Sequence, residues 1–333
     1  MSTLREDPTT GEWVIVAPRR AVRPHGSDQA ERAAVPAFDP RCPFCPGNED
    51  QTPPELARTE AAGGWDQRVF PNLFPALAVG ASGEPLGQPP FRSRPGVGAH
   101  EVVVESPRHD ERMDEMGPAR IEHVLRIWRE RTVALKAIPE IEAVMVFKNF
   151  GDRAGTSLAH PHSQIMATPV VPPLVRRRLD VATRHHESTG RCVYEDLWQA
   201  EVREGSRLIV EGRSHVAVAP FASRSPFEVW ILPKEHATSF EHTEEDSLPE
   251  LAALLRGLLG ALRLAAGDPD FNLILHSAPV HEEMKPSFHW HLEIAPRTTT
   301  AAGFELGSGT SINPVPPEEA ATALRSAMES ARR

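Results

Sequence analysis

The chain contains only three cysteines and one tyrosine among its 333 residues. Three cysteines cannot form a disulfide framework, so a hydrophobic core must stabilise the fold. No segment approaches the roughly 18 consecutive apolar residues of a membrane-spanning helix, and no basic start leads into an apolar run as in a secretory leader. We therefore expect a cytoplasmic protein that does not bind membranes.

Positive charge is also scarce, because 36 Lys and Arg residues face 46 Asp and Glu residues, which gives a net charge of −10. This balance argues against a nucleic-acid partner, so any recognition of phosphate would depend on a few local arginines. The length exceeds that of one ordinary domain and indicates two domains or one duplicated unit.

The hydrophobic pattern of the first half recurs in the second. The strand pattern of 100–109 returns at 227–236, the helical pattern of 121–137 at 248–266, and the strand pattern of 141–150 at 271–277. His109 then falls opposite His236, and "HPHSQI" (160–165) falls opposite "HWHLEI" (289–294), both at offsets close to 128. We predict an α+β fold of two halves, 1–180 and 181–333, each an antiparallel sheet packed on one long helix, with sheets that can continue into each other.

The segment "AGTSLAHPHSQIMATP" (154–169) is the strongest candidate for chemistry. In extended backbone alternate residues share a face, so His160, His162 and Gln164 would project together. An isolated H-x-H is also typical of ordinary polar loops. Here, however, "NFGDRAGTS" (149–157) precedes it and supplies the glycines and hydroxyls of a phosphate-binding loop. Phosphate chemistry is therefore favoured.

Cys42 and Cys45 have the C-x-x-C spacing of a metal knuckle, within "RCPFCPGNE". The same spacing occurs in redox pairs, so spacing alone leaves both interpretations open.

Four motifs in order, "CPFCPGNE", "VFPNLFPAL", "SPRH" and "GTSLAHPHSQ", closely resemble the galactose-1-phosphate uridylyltransferases of the histidine-triad superfamily. The resemblance covers nearly the whole chain, including "DPTTGEWVIVAPRRAVRP" near the start and "GFELGSGTSINP" near the end. It implies a duplicated histidine-triad-like fold and a homodimer. It also implies that UMP moves from UDP-glucose to galactose 1-phosphate, or a similar sugar 1-phosphate, through a covalent nucleotidyl-histidine.

The resemblance assigns the nucleophile to His162 and phosphoryl contact to Gln164. An amide can donate hydrogen bonds to a phosphoryl oxygen but cannot act as a general acid, which favours transfer over hydrolysis. Further substrate-binding positions carried over from the family are Arg20, Arg23, Asn72, Asn149, Gly155, Thr156, Ser157 and Glu305.

The resemblance also implies a structural zinc ion held by Cys42, Cys45, His109 and His160. Two thiolates and two imidazoles make a closed tetrahedral set. The repeat suggests a second metal on Cys192, Glu195, His236 and His289. Some relatives instead bind a metal at positions matching His276, His289 and His291 with a glutamate, whose nearest place here is in "VRRRLD" (175–180). A third interpretation is that these residues remain from an eroded duplicate without a metal.

Several positions depart from the uridylyltransferase pattern. Ser163 replaces the usual glycine, Leu73 stands where aspartate is common, and the glutamine expected after Glu305 falls near Ser311. These sites also resemble nucleoside-diphosphate-sugar phosphorylases, which pass the nucleotide to inorganic phosphate. The alternatives are thus a phosphorylase or adenylyltransferase, a hydrolase, or a non-catalytic nucleotide-binding module. The presence of both His162 and Gln164 disfavours the non-catalytic module. Glu293 stands opposite Gln164 in the repeat, so we expect only the first half to be catalytic.

Overall fold

The structure is a computed structural model that describes residues 1–20, 32, 34–80, 87–283 and 285–331. Arg23 lies outside the described residues. The strands, in chain order, are β1 (Thr3–Glu6), β2 (Trp13–Val16), β3 (Ala57–Ala61), β4 (Gly64–Pro71), β5 (Ala99–Val104), β6 (Ala143–Phe150), β7 (His162–Thr168), β8 (Leu208–Glu211), β9 (His215–Val218), β10 (Val229–Pro233), β11 (Phe271–His276), β12 (His291–Pro296) and β13 (Ile312–Asn313). The α-helices are α1 (Pro118–Lys136), α2 (Pro173–Thr189), α3 (Val193–Glu204), α4 (Leu248–Ala266), α5 (Gly303–Ser308) and α6 (Pro317–Ala331).

Ten strands form one antiparallel sheet in the order β3-β4-β5-β7-β6-β11-β12-β10-β9-β8. Its centre is the pairing of β6 with β11, through which the sheet of the first half continues into that of the second. A separate small sheet has the order β1-β2-β13. Within the described ranges, none of the helices combines the length and apolar character that crossing a membrane requires.

The strand registers confirm the duplication. Ala143 of β6 pairs with Thr168 of β7, and Phe271 of β11 pairs with Pro296 of β12. Each residue of the second pair lies 128 positions after its counterpart in the first (143 to 271 and 168 to 296). The predicted fold of two related halves, each an antiparallel sheet with one long helix, is therefore confirmed. Residue 180 lies within α2.

The long helices α1 and α4 cover one face of the sheet and contact each other. Helix α1 begins with Pro118 after Gly117, since proline fits the first helical turn, where its missing N–H is not needed. Its Ile121, Leu125 and Trp128 are buried, as their helical spacing predicts. Helix α4 is apolar on most of its surface because α1, α6 and the sheet all pack against it.

The opposite face differs between the halves. In the second half α2 and α3 pack on it through Leu179, Ala182 and Tyr194, which join Trp230 in a buried cluster. In the described part of the first half, α1 is the one α-helix before residue 173, and the opposite face carries the Cys42–Cys45 loop. The side chains of β7 on this face therefore meet loops rather than helices.

Candidate active site and metal centres

Strand β7 places His162 and Gln164 on the face away from the long helices. It lies between β5 and β6 in the sheet. Ser163 points the other way, and its Oγ accepts a hydrogen bond of 2.8 Å from Nε1 of Trp128 in α1. The predicted alternation of this segment is thus present in the structure.

The imidazole of His162 has a defined tautomer. Its Nδ1 lies 2.8 Å from the carbonyl oxygen of His160, and a carbonyl can only accept, so Nδ1 carries the proton. Nε2 then keeps its lone pair. Burial lowers the pKa of His162 to about 4, which leaves the ring neutral at neutral pH. A neutral imidazole with a free Nε2 is the form that can attack phosphorus.

Gln164 is oriented by His100, a residue that the sequence reasoning missed. The Nδ1 of His100 accepts from the backbone N–H of Ala76 at 3.4 Å, so Nε2 carries the proton and donates to Oε1 of Gln164 at 2.7 Å. The amide hydrogens of Gln164 remain available to a ligand. The signal that could have found His100 is the alternation of side chains along β5. His100 shares a face with Val102 and Val104, and β5 lies beside β7 in the sheet.

The predicted phosphate-binding loop follows β6. Gly151 and Gly155 both adopt a φ of 86°, and residues 152–154 between them form a single 3₁₀ turn. The hydroxyl of Thr156 donates back to the carbonyl oxygen of Asn149, and the N–H of Thr156 lies 3.3 Å from the carbonyl oxygen of Gly151. The loop therefore closes on itself, and Ser157 follows it directly on the way to His160.

The other predicted substrate residues are more scattered. Asn72 follows β4, and its Nδ2 lies 3.3 Å from Nε2 of His100, which places it next to Gln164. Arg20 ends a short 3₁₀ helix and is exposed. Glu305 lies on α5, where its carboxylate accepts backbone N–H groups from Ala302 at 3.0 Å and Ile312 at 3.2 Å. Among the described residues, no hydrogen bond joins Arg20 or Glu305 to His162.

Cys42, Cys45, His109 and His160 meet in one buried cluster, and their ligand atoms all lie within 4.8 Å of one another. Nδ1 of His160 lies 3.8 Å from Sγ of Cys42 and 3.6 Å from Sγ of Cys45, and Nδ1 of His109 lies 3.5 Å from Sγ of Cys45. Tetrahedral zinc with N and S ligands requires separations of about 3.3 to 3.8 Å. The cluster fits a zinc ion.

Hydrogen bonds from and to neighbouring groups orient the ligand atoms of this cluster. Nε2 of His160 donates to the carbonyl oxygen of Ser106 at 2.8 Å, which leaves Nδ1 unprotonated, and the N–H of Asp39 points at Sγ of Cys45 at 3.3 Å. Burial lowers the pKa of His160 to about 4 and raises that of Cys42 to about 11. A thiolate at this buried position therefore requires a positive ion beside it.

The comparisons identify the family. The family "Galactose-1-phosphate uridyl transferase, N-terminal domain" matches residues 1–172, more than half of the chain. The chain belongs to the galactose-1-phosphate uridylyltransferase family. A second family, "Domain of unknown function (DUF4921)", matches residues 126–333. Membership supports enzymatic nucleotidyl transfer on nucleotide sugars.

Relatives within this family carry two different names. An ADP-glucose phosphorylase of Arabidopsis thaliana is 38% identical over 97% of this chain and 92% of its own length. A galactose-1-phosphate uridylyltransferase of Thermotoga maritima is 30% identical over 98% of both chains. The crystal structure of an ADP-glucose phosphorylase from Arabidopsis thaliana with bound ADP-glucose superposes with a TM-score of 0.84 at 36% identity, covering 98% of each chain.

In this uridylyltransferase-family chain, a second cluster lies at the repeat position of the first. The ligand atoms of Cys192, His236 and His289 lie within 4.8 Å of one another. The carboxylate of Glu195 is 3.2 Å from Nδ1 of His236. Nε2 of His289 lies 2.8 Å from the carbonyl oxygen of Pro233, as His160 does with Ser106, and Nδ1 of His289 has no hydrogen-bond partner among the described residues.

The competing ligand set does not fit a metal. The rings of His276 and His291 stack with centroids 4.6 Å apart, but Nη1 of Arg178 lies 3.1 Å from Nε2 of His291. Arg178 belongs to the "VRRRLD" segment, where the missing glutamate was expected. A guanidinium is permanently charged, so it excludes a second cation from this place. Of the two candidate sets that share His289, the geometry therefore favours the one with Cys192 and His236.

The same arginine contacts the histidine that corresponds to His162 in the repeat. Nε2 of His291, the atom that matches the free Nε2 of His162, faces Arg178, and His291 is fully buried. Glu293, opposite Gln164 in the repeat, is bound by His276 at 2.9 Å and Arg224 at 2.8 Å. These contacts support the expectation that only the first half is catalytic.

Proposed function

We propose that the protein cleaves a nucleoside-diphosphate sugar by double displacement through His162, with inorganic phosphate as the acceptor. The observation that carries this proposal is the hydrogen bond from Nδ1 of His162 to His160, which leaves Nε2 with its lone pair on β7, the strand paired with the β6 that leads into the proposed phosphate-binding loop. In the first step Nε2 attacks the α-phosphorus, the bond to the bridging oxygen breaks, and sugar 1-phosphate leaves. In the second step a phosphate oxygen attacks, the N–P bond breaks, and a nucleoside diphosphate leaves.

The chain's own groups serve both steps. The ring of His162 becomes cationic when Nε2 binds phosphorus, and the carbonyl oxygen of His160 stabilises the proton on Nδ1. Gln164 offers its amide hydrogens to a non-bridging oxygen because His100 occupies its carbonyl oxygen. Gly155, Thr156 and Ser157 complete the phosphate site, with Gly155 and Thr156 holding the shape of the loop through their N–H bonds to Asp152 and Gly151, and Ser157 supplying its hydroxyl.

Inorganic phosphate is preferred as acceptor because the departures at Ser163, Leu73 and Ser311 occur together with 38% identity to an ADP-glucose phosphorylase. Adenine is the preferred base for the same reason. The second candidate is uridylyl transfer from UDP-glucose to galactose 1-phosphate, which Glu305 at the matching position and the family match over 1–172 favour.

Labelling without an acceptor tests the nucleophile. ADP-glucose or UDP-glucose labelled at the α-phosphorus is expected to give stoichiometric label that acid removes, since a nucleotidyl-histidine is a phosphoramidate. His162→Ala abolishes the label, whereas His291→Ala retains it. Label that persists in His162→Ala would show that another residue is the nucleophile.

A chase of the labelled enzyme identifies the acceptor. Phosphate is expected to release labelled nucleoside diphosphate, while galactose 1-phosphate leaves the label in place. Release by galactose 1-phosphate alone would make the protein a uridylyltransferase in the strict sense.

We further propose that Cys42, Cys45, His109 and His160 hold a structural zinc ion, and that Cys192, Glu195, His236 and His289 hold a second metal. Both sets are closed, so neither metal contacts substrate. Metal analysis is expected to find two equivalents in the purified protein and one in each of Cys42→Ser and Cys192→Ser. One equivalent in the unmodified protein, lost only in Cys42→Ser, would remove the second site.

The proposal includes a cytoplasmic homodimer in which Glu305 reaches the sugar site of the partner. Helix α5 exposes Phe304 and Leu306 on either side of Glu305, and such apolar side chains favour an interface. Co-expressing inactive His162→Ala with inactive Glu305→Ala is expected to restore activity, because each mixed dimer regains one complete site. Glu305→Ala with full activity, or mixed dimers that stay inactive, would contradict this arrangement.

A further inference from the structure

Two asparagines join the halves beside the phosphate-binding loop. Asn149 of β6 and Asn272 of β11 are paired in the central sheet register. Nδ2 of Asn272 donates to Oδ1 of Asn149 at 2.8 Å and to the carbonyl oxygen of Ala154 at 2.9 Å. On its other side, Oδ1 of Asn272 accepts a hydrogen bond from Nε of Arg297.

The chemistry of the partners fixes which way both amides point. A backbone carbonyl such as that of Ala154 can only accept, and the guanidinium of Arg297 can only donate. Asn272 must therefore turn its NH₂ towards Ala154 and Asn149, and its oxygen towards Arg297. Asn149 in turn must present its oxygen to Asn272, so its own NH₂ is left for other partners.

That NH₂ group lies near Gly155 of the proposed phosphate-binding loop. Nδ2 of Asn149 is 4.0 Å from the point where a Cβ on Gly155 would lie. With the amides reversed, a carbonyl oxygen would face this space and would repel an anionic phosphoryl oxygen. Donor polarity at this point thus depends on a residue of the second half.

We propose that Arg297 and Asn272 are positioning residues that make Asn149 a hydrogen-bond donor to an acceptor oxygen of the bound nucleotide. This inference rests on the proposed function of the loop as the nucleotide site. The second half, whose own histidine pair is closed by Arg178, contributes to the reaction through this relay.

Arg297 offers a clean test because its side chain is exposed and its backbone is held separately. Its N–H donates to the carbonyl oxygen of Asp270 at 2.7 Å whatever the side chain is. Arg297→Met removes one of the two groups that fix the Asn272 amide and leaves only the carbonyl oxygen of Ala154 to oppose its reversal, whereas Arg297→Lys keeps a group that only donates. Arg213→Met, which removes an exposed arginine elsewhere in the second half, controls for the loss of charge.

The measurement is the ADP-glucose or UDP-glucose concentration at which the rate of His162 labelling is half its maximum. Arg297→Met is expected to raise it about five- to tenfold, the equivalent of one hydrogen bond, at an unchanged melting temperature. Arg297→Lys and Arg213→Met stay within about twofold. In an Asn149→Ala background, Arg297→Met is expected to add nothing, because the residue through which it acts is gone.

Two outcomes overturn the relay in different ways. If Arg297→Met raised the half-saturating nucleotide-sugar concentration equally in the presence and absence of Asn149, Arg297 would act by its charge. The proposed function would then still stand. An Asn149→Ala variant with unchanged half-saturation would overturn both the relay and the substrate role of Asn149.

Discussion

A buried ion pair lies next to the backbone of His162, the proposed nucleophile. Nζ of Lys148 contacts Oε2 of Glu105 at 2.6 Å and the carbonyl oxygen of His162 at 3.1 Å, and neither side chain is appreciably exposed. The backbone N–H of Glu105 also donates to the carbonyl oxygen of Pro161 at 3.1 Å. The backbone at 161 and 162 is therefore held by Glu105 and Lys148.

Lys148→Met is expected to lower the free energy of unfolding by about 3–5 kcal/mol, because it leaves the Glu105 carboxylate buried without a cation. Replacing both residues, as Lys148→Met with Glu105→Leu, is expected to recover most of that loss. Urea unfolding measures both changes. A double variant as unstable as the single one would show that the hydrogen bond to His162, rather than the unpaired charge, is what matters.

Sequence motifs predicted the residues that we propose to act directly and missed those that contact and orient them. His162 and Gln164 lie at the alternate spacing of a strand, and the family resemblance rather than spacing alone joined Cys42 and Cys45 to His109 and His160. His100, Lys148 and Arg297 have no such spacing, because each contacts a partner on another strand, 64 residues away in the case of His100 and Gln164. Strand order and register bring them together, and both come from tertiary packing.

Among the helices and strands, too, the sequence predicted some elements and missed others. The repeat predicted the long helices and the central strands because both halves contain them. Helices α2 and α3 and the small sheet were not predicted, since a comparison of repeats describes only what the halves share. Yet α2 carries Arg178, whose contact with Nε2 of His291 is the main structural argument against a metal or a nucleophile at His291.

The phosphate-binding loop depends on Gly151. A Cβ at this position would lie 2.0 Å from Oδ1 of Asp270, and the φ of 86° already disfavours other residues. Oδ2 of Asp270 accepts the N–H of Arg153 at 2.7 Å, so moving Asp270 would release the loop. Gly151→Ala is expected to raise the half-saturating nucleotide-sugar concentration by at least about tenfold, because the binding groups lose their alignment.

Gly190, which ends α2, is the matched control. It has a φ of 71°, and a Cβ added there would meet nothing within 4 Å. Gly190→Ala is expected to cost about 1 kcal/mol of stability from backbone strain alone and to leave binding unchanged. Equal binding defects in the two variants would mean that general destabilisation, rather than the contact with Asp270, disturbs the loop.

For the whole molecule, buried histidines set the response to acid. Burial lowers the pKa to about 4 for His160, His162, His215, His276 and His289. An unfolded histidine titrates near 6.5, so between pH 6.5 and 4 the unfolded chain binds more protons than the folded one. Above pH 6.5 burying these histidines in their neutral form costs no stability. The free energy of unfolding falls as the pH drops from 6.5 towards 4.

His215 allows this acid response to be tested away from both metal clusters. Its ring is fully buried, and neither ring nitrogen makes a hydrogen bond among the described residues, although a carboxylate oxygen of Glu250 lies 3.5 Å from Nδ1. His215→Phe is expected to reduce the loss of unfolding free energy between neutral pH and about pH 5.5 by about 1 kcal/mol. Identical stability–pH curves for the variant and the unmodified protein would show that His215 is not among the groups responsible.

The pairing of β6 with β11 also constrains how substrates come and go. Two halves that share a hydrogen-bonded sheet cannot swing apart as hinged domains do, because rotation would break the central backbone bonds. In the proposed reaction, the sugar 1-phosphate must therefore depart and the acceptor must arrive without the halves moving apart. We therefore expect the exchange of substrates and products to proceed without domain closure.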